Sequence, residues 1–252
     1  MEKAFPHEFG VVYGKLGSET IFARDQGDDA NCEDFTIVEI GCGVGNTVLP
    51  LLELEQIINV KSDVKGKKRI SVWGLDFSNV AIDLLRQDER FIKAQTEGRA
   101  RGCVWDITVT HPRDISFELE GVADVSLLLF CLSAVSPEKM IHAAEHVAAT
   151  LKPGATLILR DYGRFDEAQM KLGSSRGKRL SENFYVKSDS TRVFYFATQD
   201  LENLFGSNGA GLEIIELKYI QRVYKNRSDQ SQRKRVWVQG RFRKPHIKMT
   251  PL

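Results

Sequence analysis

The stretch that decides the fold is Phe35-Thr-Ile-Val-Glu-Ile-Gly-Cys-Gly-Val-Gly-Asn46. Its first half, from Phe35 to Ile40, is rich in apolar and β-branched residues, which predicts a β-strand. Three glycines follow, and glycine permits the backbone conformations that a sharp turn needs. Apolar residues then recur at helical spacing from Val48 to Ile58, which predicts a helix. The stretch therefore predicts a strand, a glycine turn and a helix in succession.

Outward from this stretch, strands and helices alternate. Apolar or β-branched runs predict four further strands, at residues 70–75, 102–105, 125–130 and 155–159. Ser78 is a candidate N-cap for the helix after the second strand. Pro137 is placed to open a helix that runs to about Leu151, where Lys152-Pro-Gly154 ends it. Such alternation predicts an α/β fold with a parallel sheet and helices on both faces.

The chain after the fifth strand follows a different pattern. Residues 183–186 and 193–196 flank a polar turn, which predicts a β-hairpin. Thr198 is a candidate cap for a short helix that Gly209 and Gly211 end. Two last strands are predicted at residues 212–220 and 236–242. We therefore predict a domain at residues 35–245 with an insert at residues 162–197, after an N-terminal extension at residues 1–34. A charged surface loop is predicted at residues 61–69.

Composition limits the class of protein. A chain of 252 residues with 42% hydrophobic residues is long enough for one large α/β domain. Its longest apolar stretch is too short to cross a bilayer, and its N-terminus lacks the apolar core of a secretion signal. The four cysteines are scattered, which is typical of free thiols in a reducing compartment. We expect no membrane partner and a cytoplasmic or also nuclear location.

The charges are unevenly distributed along the chain. The formal net charge is only +1. Between Lys218 and Lys248, however, the sequence contains many lysines and arginines, and Asp229 is the only acidic residue. This asymmetry predicts a polyanionic partner for the C-terminal part, although a solvated basic face without a partner would give the same pattern.

The glycine turn contains a specific pattern. A dinucleotide-binding Gly-x-Gly-x-x-Gly fingerprint would need glycine at position 46, which is Asn46. The observed pattern, Glu39-x-Gly41-x-Gly43-x-Gly45, resembles motif I of class I S-adenosylmethionine (SAM) methyltransferases. Asp76 ends the second strand, where a carboxylate can accept hydrogen bonds from ribose hydroxyls. Asp106 follows the third strand, where these enzymes place an acid near the adenine. An ordinary glycine-rich turn remains the alternative.

Two other motifs resemble known kinds of site. His142, Glu145 and His146 match an H-x-x-E-H zinc pattern, but no convincing third ligand accompanies them, so we predict no metal site. Cys131 follows the fourth strand, where a nucleophile for C5-cytosine methylation could lie. It lacks the preceding proline of that family, and a buried small thiol is the more common case.

Several further motifs occur in one order along the chain. They are Asp76-Phe-Ser78, Leu132-Ser-Ala-Val135, Leu151-Lys-Pro-Gly154, Arg160-Asp-Tyr-Gly163, Glu182-Asn-Phe-Tyr-Val186 and Val236-Trp-Val-Gln239. With motif I, they resemble the eukaryotic tRNA N3-methylcytidine methyltransferases of the methyltransferase-like family. The resemblance implies a seven-stranded, mostly parallel Rossmann-like sheet with an antiparallel last strand. It also implies that the SAM methyl group passes to N3 of a cytidine in the anticodon loop, usually position 32, which leaves S-adenosylhomocysteine.

The resemblance also implies tRNA as partner, and an accessory protein such as an aminoacyl-tRNA synthetase. Family members share a basic, aromatic segment before motif I. Residues 1–34 contain little of it beyond Phe5, Pro6 and Phe9, so we interpret them as a truncated RNA-binding segment.

The candidate site residues fall into three groups. The predicted catalytic residues are Asp161, just past the fifth strand, and its neighbours Arg160 and Tyr162. The predicted cofactor-binding residues are Glu39, Gly41, Gly43, Gly45, Asn46, Asp76, Phe77, Asp106, Ile107 and Phe130. The predicted substrate-binding residues are Arg164, Lys178, Arg179, Asn183, Tyr185, Arg192, Arg235 and Arg241. Two alternatives stay open: a methyltransferase of a small molecule or protein, and an inactive tRNA-binding accessory subunit.

Overall fold

A computed structural model describes residues 35–53, 70–225 and 232–246. The charged loop predicted at residues 61–69 and the N-terminal extension at residues 1–34 lie outside the described residues. So does the predicted C-terminal half of the first helix, whose described part, α1, covers residues 48–53. No helix within these ranges combines the length and apolar character that spanning a membrane requires.

The core of the fold is a seven-stranded sheet. Its strands are β1 (Phe35–Ile40), β2 (Ile70–Asp76), β3 (Ala100–Val104), β4 (Ala123–Leu129), β5 (Leu151–Tyr162), β9 (Glu213–Lys225) and β10 (Gln232–Arg243). They lie in the order β3-β2-β1-β4-β5-β10-β9. β1 to β5 are parallel, whereas β10 pairs antiparallel with both β5 and β9. The predicted fold class, a mostly parallel seven-stranded sheet with an antiparallel last strand, is confirmed.

Helices cover the sheet as the alternation predicts. They are α2 (Asn79–Gln87), α3 (Glu89–Thr96), α4 (Pro112–Ile115), α5 (Met140–Ala149), α6 (Glu167–Ser174) and α7 (Thr198–Phe205). The predicted cap is confirmed, because the Ser78 hydroxyl accepts a hydrogen bond from the Ala81 N–H at 3.3 Å. β2 is buried along its whole length, as a central parallel strand covered on both faces should be.

A second, smaller sheet follows β5. It contains β6 (Arg179–Ser181), β7 (Phe184–Val186) and β8 (Arg192–Phe194) in that order. The antiparallel β7–β8 pair confirms the predicted hairpin. The sequence did not predict β6, which has only three residues, or the separate helix α3.

Several predicted boundaries are wrong, among them those of the fifth strand, of α7 and of the last two strands, which extend over Glu213–Lys225 and Gln232–Arg243. The fifth strand begins at Leu151 and continues to Tyr162, because β10 pairs with it from Thr156 to Tyr162. Lys152-Pro-Gly154 therefore belongs to β5, where the pairing of β5 with β4 shifts its register. The cap residue of α7 is Ala197, whose N–H donates to the Asp200 carboxylate at 2.7 Å, and the C-cap of α7 is Gly206.

Candidate active site

The predicted site residues are expected at the carboxyl ends of the parallel strands, and the strand register brings these ends to one edge of the sheet. Ile40 of β1 pairs with Leu75 of β2 and with Leu128 of β4. The strand order reverses between β1 and β4, and ligands of open α/β sheets bind in the crevice at such a reversal. The glycine turn follows β1 at this position.

Backbone hydrogen bonds hold the glycine turn against β2. The N–H groups of Gly41 and Cys42 both donate to the Leu75 carbonyl, at 2.7 and 3.0 Å. Gly41 has a φ of +75°, and a Cβ at this position would lie 2.5 Å from the Cys131 sulfur beyond β4. Gly43 also has a positive φ, but a Cβ there would meet no atom within 4 Å. The turn therefore packs closely against Cys131 at Gly41, whereas it borders open space at Gly43.

Asp76 links this turn to the start of α2. Its carboxylate accepts hydrogen bonds from the Gly43 N–H and the Ser78 N–H, both at 2.9 Å. Each carboxylate oxygen has two lone pairs, so both oxygens keep a position for a further donor. Asp76 thus lies beside the glycine turn, and its two acceptor oxygens suit the paired hydroxyls of a ribose.

Glu39 of β1 is buried, with 4% of its surface exposed. Burial and, to a smaller extent, the charge of Asp76 raise the pKa of Glu39 to about 8, although hydrogen bonds from Thr47 and Val48 lower it. Its Oε2 atom has no hydrogen-bond partner among the described residues. A buried oxygen of this kind is costly unless a proton or a ligand satisfies it.

The pKa of Glu39 predicts a pH-dependent stability. Because the native chain holds this proton more tightly than the unfolded chain, stability falls as pH rises from the unfolded pKa of about 4.3 towards the native value. Glu39→Gln removes the titration. We expect its melting temperature to exceed that of the wild type by an amount that grows between pH 5 and pH 8, to roughly 10 °C. If the melting temperatures of Glu39→Gln and the wild type changed with pH in the same way across this range, the raised pKa would be contradicted.

The other predicted cofactor residues surround the same edge, with different exposure. Phe77 is 76% exposed directly after Asp76, and Asn46 is also exposed. Asp106 is exposed, and its Oδ1 atom accepts from the Thr108 N–H at 2.9 Å. Ile107 is buried, and its carbonyl lies 2.8 Å from the Nδ1 atom of His146. This contact gives His146 a structural partner.

Aromatic side chains gather at the ends of β4 and β5. Phe130 lies 5.1 Å from Tyr162 and 5.9 Å from Trp237 between ring centroids, and Tyr162 lies 6.0 Å from Tyr195. Phe130 has a φ of +52°, which costs a bulky residue roughly 1–3 kcal/mol. We call Phe130, Tyr162, Tyr195 and Trp237 the aromatic cluster. It provides flat apolar surfaces next to the glycine turn.

Arg160 packs beneath this cluster. It is 3% exposed, and its guanidinium group lies 5.6 Å from the ring centroid of Trp237. Its Nε atom donates to the Gln239 side-chain carbonyl at 3.2 Å, and the Nη2 atom donates to the same oxygen. Gln239 lies opposite Arg160 in the β5–β10 register. Arg160 therefore braces the aromatic cluster from inside the sheet.

The predicted position of Asp161 is corrected by the structure. It lies within β5, opposite Val238, and its side chain is fully buried. Its carboxylate accepts from the Ser133 N–H at 2.9 Å and from the Tyr162 N–H at 2.8 Å. Burial raises the pKa of Asp161 to about 6, although hydrogen bonds from Ser133, Tyr162 and Leu132 lower it. The carboxylate therefore fixes the loop that follows β4.

Asp166 is a residue that the sequence reasoning missed. It is fully buried, and its Oδ2 atom accepts from the Arg235 Nε at 2.9 Å and from the Val236 N–H at 2.8 Å. Its Oδ1 atom caps α6 by accepting from the Ala168 N–H. An aspartate directly before a helical run is a capping signal that could have identified it. Asp166 places Arg235, whose guanidinium lies 5.6 Å from the Tyr162 ring centroid.

The predicted substrate residues are only partly brought together. Arg164 lies 3.8 Å from Asp200, and its Nε atom has no hydrogen-bond partner among the described residues. Arg192 donates to the Ser136 hydroxyl at 2.6 Å, which joins β8 to the loop after β4. Lys178 and Arg179 donate to backbone carbonyls of Lys187 and Ser181 in the smaller sheet.

Two of the predicted substrate residues are badly placed for that role. Tyr185 is 7% exposed and packs against Tyr195, because alternate residues of the hairpin must face its core. Arg241 lies opposite Ile158, four residues before the end of β5, which is about 13 Å from the site edge at the usual rise per residue. β10 runs antiparallel, so its first residues, and not its last, reach the site.

Known proteins share this fold. The sequence matches the profile described as "Methyltransferase domain" over residues 16–217. The chain belongs to this methyltransferase-domain family. A solved SAM-dependent methyltransferase from Methanosarcina mazei has the same fold, with a TM-score of 0.57 at 20% identity, covering 85% of this chain and 94% of its own.

Curated relatives of this methyltransferase domain carry more specific names. The "tRNA N(3)-methylcytidine methyltransferase Mettl2" of Drosophila melanogaster is 37% identical over 218 residues, which are 86% of this chain and 61% of that protein. The "O-methyltransferase 3" of Dictyostelium discoideum is 37% identical over 210 residues, which are 83% of this chain and 44% of that protein. The chain thus spans about half of the length of the curated relatives it matches.

Proposed function

We propose that this methyltransferase domain transfers the methyl group of SAM to N3 of a cytidine in the anticodon loop of tRNA. One observation carries the proposal. The glycine turn with its carboxylates and the aromatic cluster lie at one edge of the sheet, with the contact between Gly41 and Cys131 joining them. A cofactor pocket and a surface for a flat base are thereby adjacent, and the name of the Drosophila relative specifies the reaction.

The cofactor side fits a cationic nucleoside. Glu39, Asp76 and Asp106 provide three carboxylates at or near the ends of β1, β2 and β3. Open space over Gly43 leaves room for a ligand against the backbone of the turn. When bound, SAM supplies a methyl group on a positively charged sulfur and leaves as S-adenosylhomocysteine. The unpartnered Oε2 atom of Glu39 adds a further acceptor for positive charge nearby.

The aromatic cluster suits a cytidine that becomes positively charged on methylation. Cytosine N3 has an in-plane lone pair, so no proton has to leave before it attacks, and alignment matters more than a strong base. The methylated base is a cation, and aromatic faces attract cations. The aromatic cluster offers such faces at Phe130 and Tyr162, which are only partly buried. Since N3 lies on the Watson–Crick edge, the base has to be unpaired and turned out of its stack.

Asp161 supports this arrangement as a positioning residue. Its carboxylate holds the N–H groups of Ser133 and Tyr162 and is itself fully buried. It thereby fixes the loop after β4 relative to the aromatic cluster. Arg160, which braces Trp237, is likewise a positioning residue, and Tyr162 keeps its predicted catalytic role by facing the base.

A basic ribbon extends past this edge. Residues 221–225 of β9 pair with residues 232–236 of β10 beyond the end of β5, because β10 pairs with β5 only from Trp237 onward. Five residues of strand reach about 17 Å. The ribbon carries five cations, Arg222, Lys225, Arg233, Lys234 and Arg235. Such a projection suits the phosphates around an anticodon loop.

The decisive test is incubation of the protein with isotopically labelled SAM and total tRNA, followed by mass spectrometry of the nucleosides. We expect labelled 3-methylcytidine. A ribose-methylated nucleoside would instead favour oxygen transfer, in line with the name of the Dictyostelium relative. Tight SAM binding without any labelled nucleoside would favour an inactive tRNA-binding subunit. Adding an aminoacyl-tRNA synthetase to the assay tests the predicted accessory protein.

The ribbon provides a second prediction. Replacing Arg222 and Lys225 by glutamine should raise the KM for tRNA about tenfold. It should also make the slope of log affinity against log salt shallower, by about one for each phosphate that is no longer neutralised. The matched control replaces Arg101 and Arg113, two exposed arginines paired with Glu118 and Glu120. Equal KM values and equal salt slopes in the two double variants would contradict the ribbon's role.

A further inference from the structure

Phe165 is held in an unusual state. It lies three residues past the end of β5 and is 76% exposed, as much as any large apolar side chain among the described residues. Its φ is +67°, in the left-handed region that bulky side chains rarely adopt. Burial of the ring could offset the cost of this backbone strain, but a ring that is exposed contributes little such stabilisation. Such strain persists where the surroundings enforce it, and it is concentrated at functional sites.

A buried glutamine enforces this backbone conformation. The Gln169 side chain is 7% exposed, and its Oε1 atom accepts from the Phe165 N–H at 2.7 Å. Its Nε2 atom donates to the Asn183 side-chain oxygen at 3.1 Å. Asn183 has a left-handed φ of +56° itself. One amide thus ties together two left-handed residues, one after β5 and one before β7.

The residues next to Phe165 on both sides are also fixed. Arg164 donates its N–H to the Phe196 carbonyl at 2.9 Å, and its guanidinium lies near Asp200. On the other side, the buried Asp166 caps α6 and holds Arg235. The exposed ring is therefore carried on a loop fixed by hydrogen bonds on both sides, just past Tyr162 of the aromatic cluster.

We propose that Phe165 is a stacking platform for an unpaired nucleobase of the RNA, next to the cytidine that is methylated. The proposal rests on the proposed function. Aromatic rings that line a positively charged groove bind single-stranded bases by stacking, and flanking cations hold the backbone phosphates. Phe165 supplies the ring, and the cations are Arg164 beside it in the loop and Arg235 on β10, which Asp166 holds next to that loop. Gln169 is then a positioning residue that keeps the ring presented.

Fluorescence of Phe165→Trp tests stacking directly. An anticodon stem-loop RNA should quench the added tryptophan signal, measured against the same titration of the wild-type protein. The matched control is Ile92→Trp, because Ile92 is exposed on α3, away from this loop. Equal signal changes for the two variants, or none for Phe165→Trp at RNA concentrations that bind, would overturn the proposal.

Kinetics provide the second measurement. Phe165→Asn should raise the KM for tRNA at least about fivefold, since stacking is worth about 5-fold to 150-fold per base, while SAM affinity stays unchanged. Asparagine tolerates left-handed backbone, so this variant should melt no lower than the wild type. Phe165→Tyr should keep the wild-type KM, and Gln169→Glu should raise it, because glutamate cannot donate to Asn183. A wild-type KM in Phe165→Asn would refute the platform.

The two proposals fail in different ways. If the wild type methylates no tRNA but the stem-loop still quenches Phe165→Trp, the proposed function fails and the stacking platform stands. If 3-methylcytidine forms and Phe165→Asn behaves like the wild type, the platform fails and the function stands.

Discussion

Gly41→Ala is expected to abolish methyl transfer and to weaken binding of S-adenosylhomocysteine by at least about 100-fold, or about 2.7 kcal/mol. The added Cβ would lie 2.5 Å from the Cys131 sulfur and 2.7 Å from its Cβ. The φ of +75° adds strain of roughly 1–2 kcal/mol for alanine. Both effects displace the turn that holds the Gly43 N–H against Asp76. Calorimetric titration with S-adenosylhomocysteine measures the loss.

Two further variants separate the effect of backbone strain from that of steric overlap with Cys131. Gly121→Ala imposes similar strain, at a φ of +63°, but its Cβ meets no atom within 4 Å. It lies before β4, at the opposite edge of the sheet, so it should cost stability without changing cofactor affinity. Adding Cys131→Gly to Gly41→Ala should restore part of the binding. Wild-type affinity in Gly41→Ala would mean that the turn does not form the pocket.

Asp161→Ala is expected to lower the kcat of methyl transfer by more than about 100-fold, while affinity for S-adenosylhomocysteine changes little. The substitution leaves the buried N–H groups of Ser133 and Tyr162 without their acceptor, at about 1–3 kcal/mol each. The loop after β4 then loses its position beside the base, whereas the glycine turn keeps its own contacts. Single-turnover kinetics and calorimetry together distinguish the two effects.

The pH profile and a matched variant test this role of Asp161. Because its pKa is about 6, wild-type activity should rise with pH through about 6 as the carboxylate ionises, and Asp161→Asn should lack that rise. Asp124→Asn is the control. Asp124 also accepts from a backbone N–H, that of Thr36, but at the opposite edge of the sheet. An Asp161→Asn enzyme with wild-type kcat would show that the carboxylate is dispensable.

The sequence by itself determined which strand ends carry the candidate functional residues. Glycines at 41, 43 and 45 after one apolar run, and aspartates after the next two, sufficed to place the turn, Asp76 and Asp106 at one edge. This was possible because parallel strands joined by helices end on the same side, so order along the chain determines position. The hairpin at β7 and β8 was predictable for a similar local reason, its polar turn between apolar runs.

Only the tertiary structure decided which side chains face the substrate. β10 extends β5 to Tyr162, so that Asp161 is buried within the sheet, Arg241 is carried away from the site, and Arg235 is brought to it. Gln239 reaches Arg160, 79 residues away in the chain, and Gln169 reaches Asn183, 14 residues away, only because the folded chain brings these segments together. An antiparallel partner strand fixes register over a long distance, and no local pattern encodes that register.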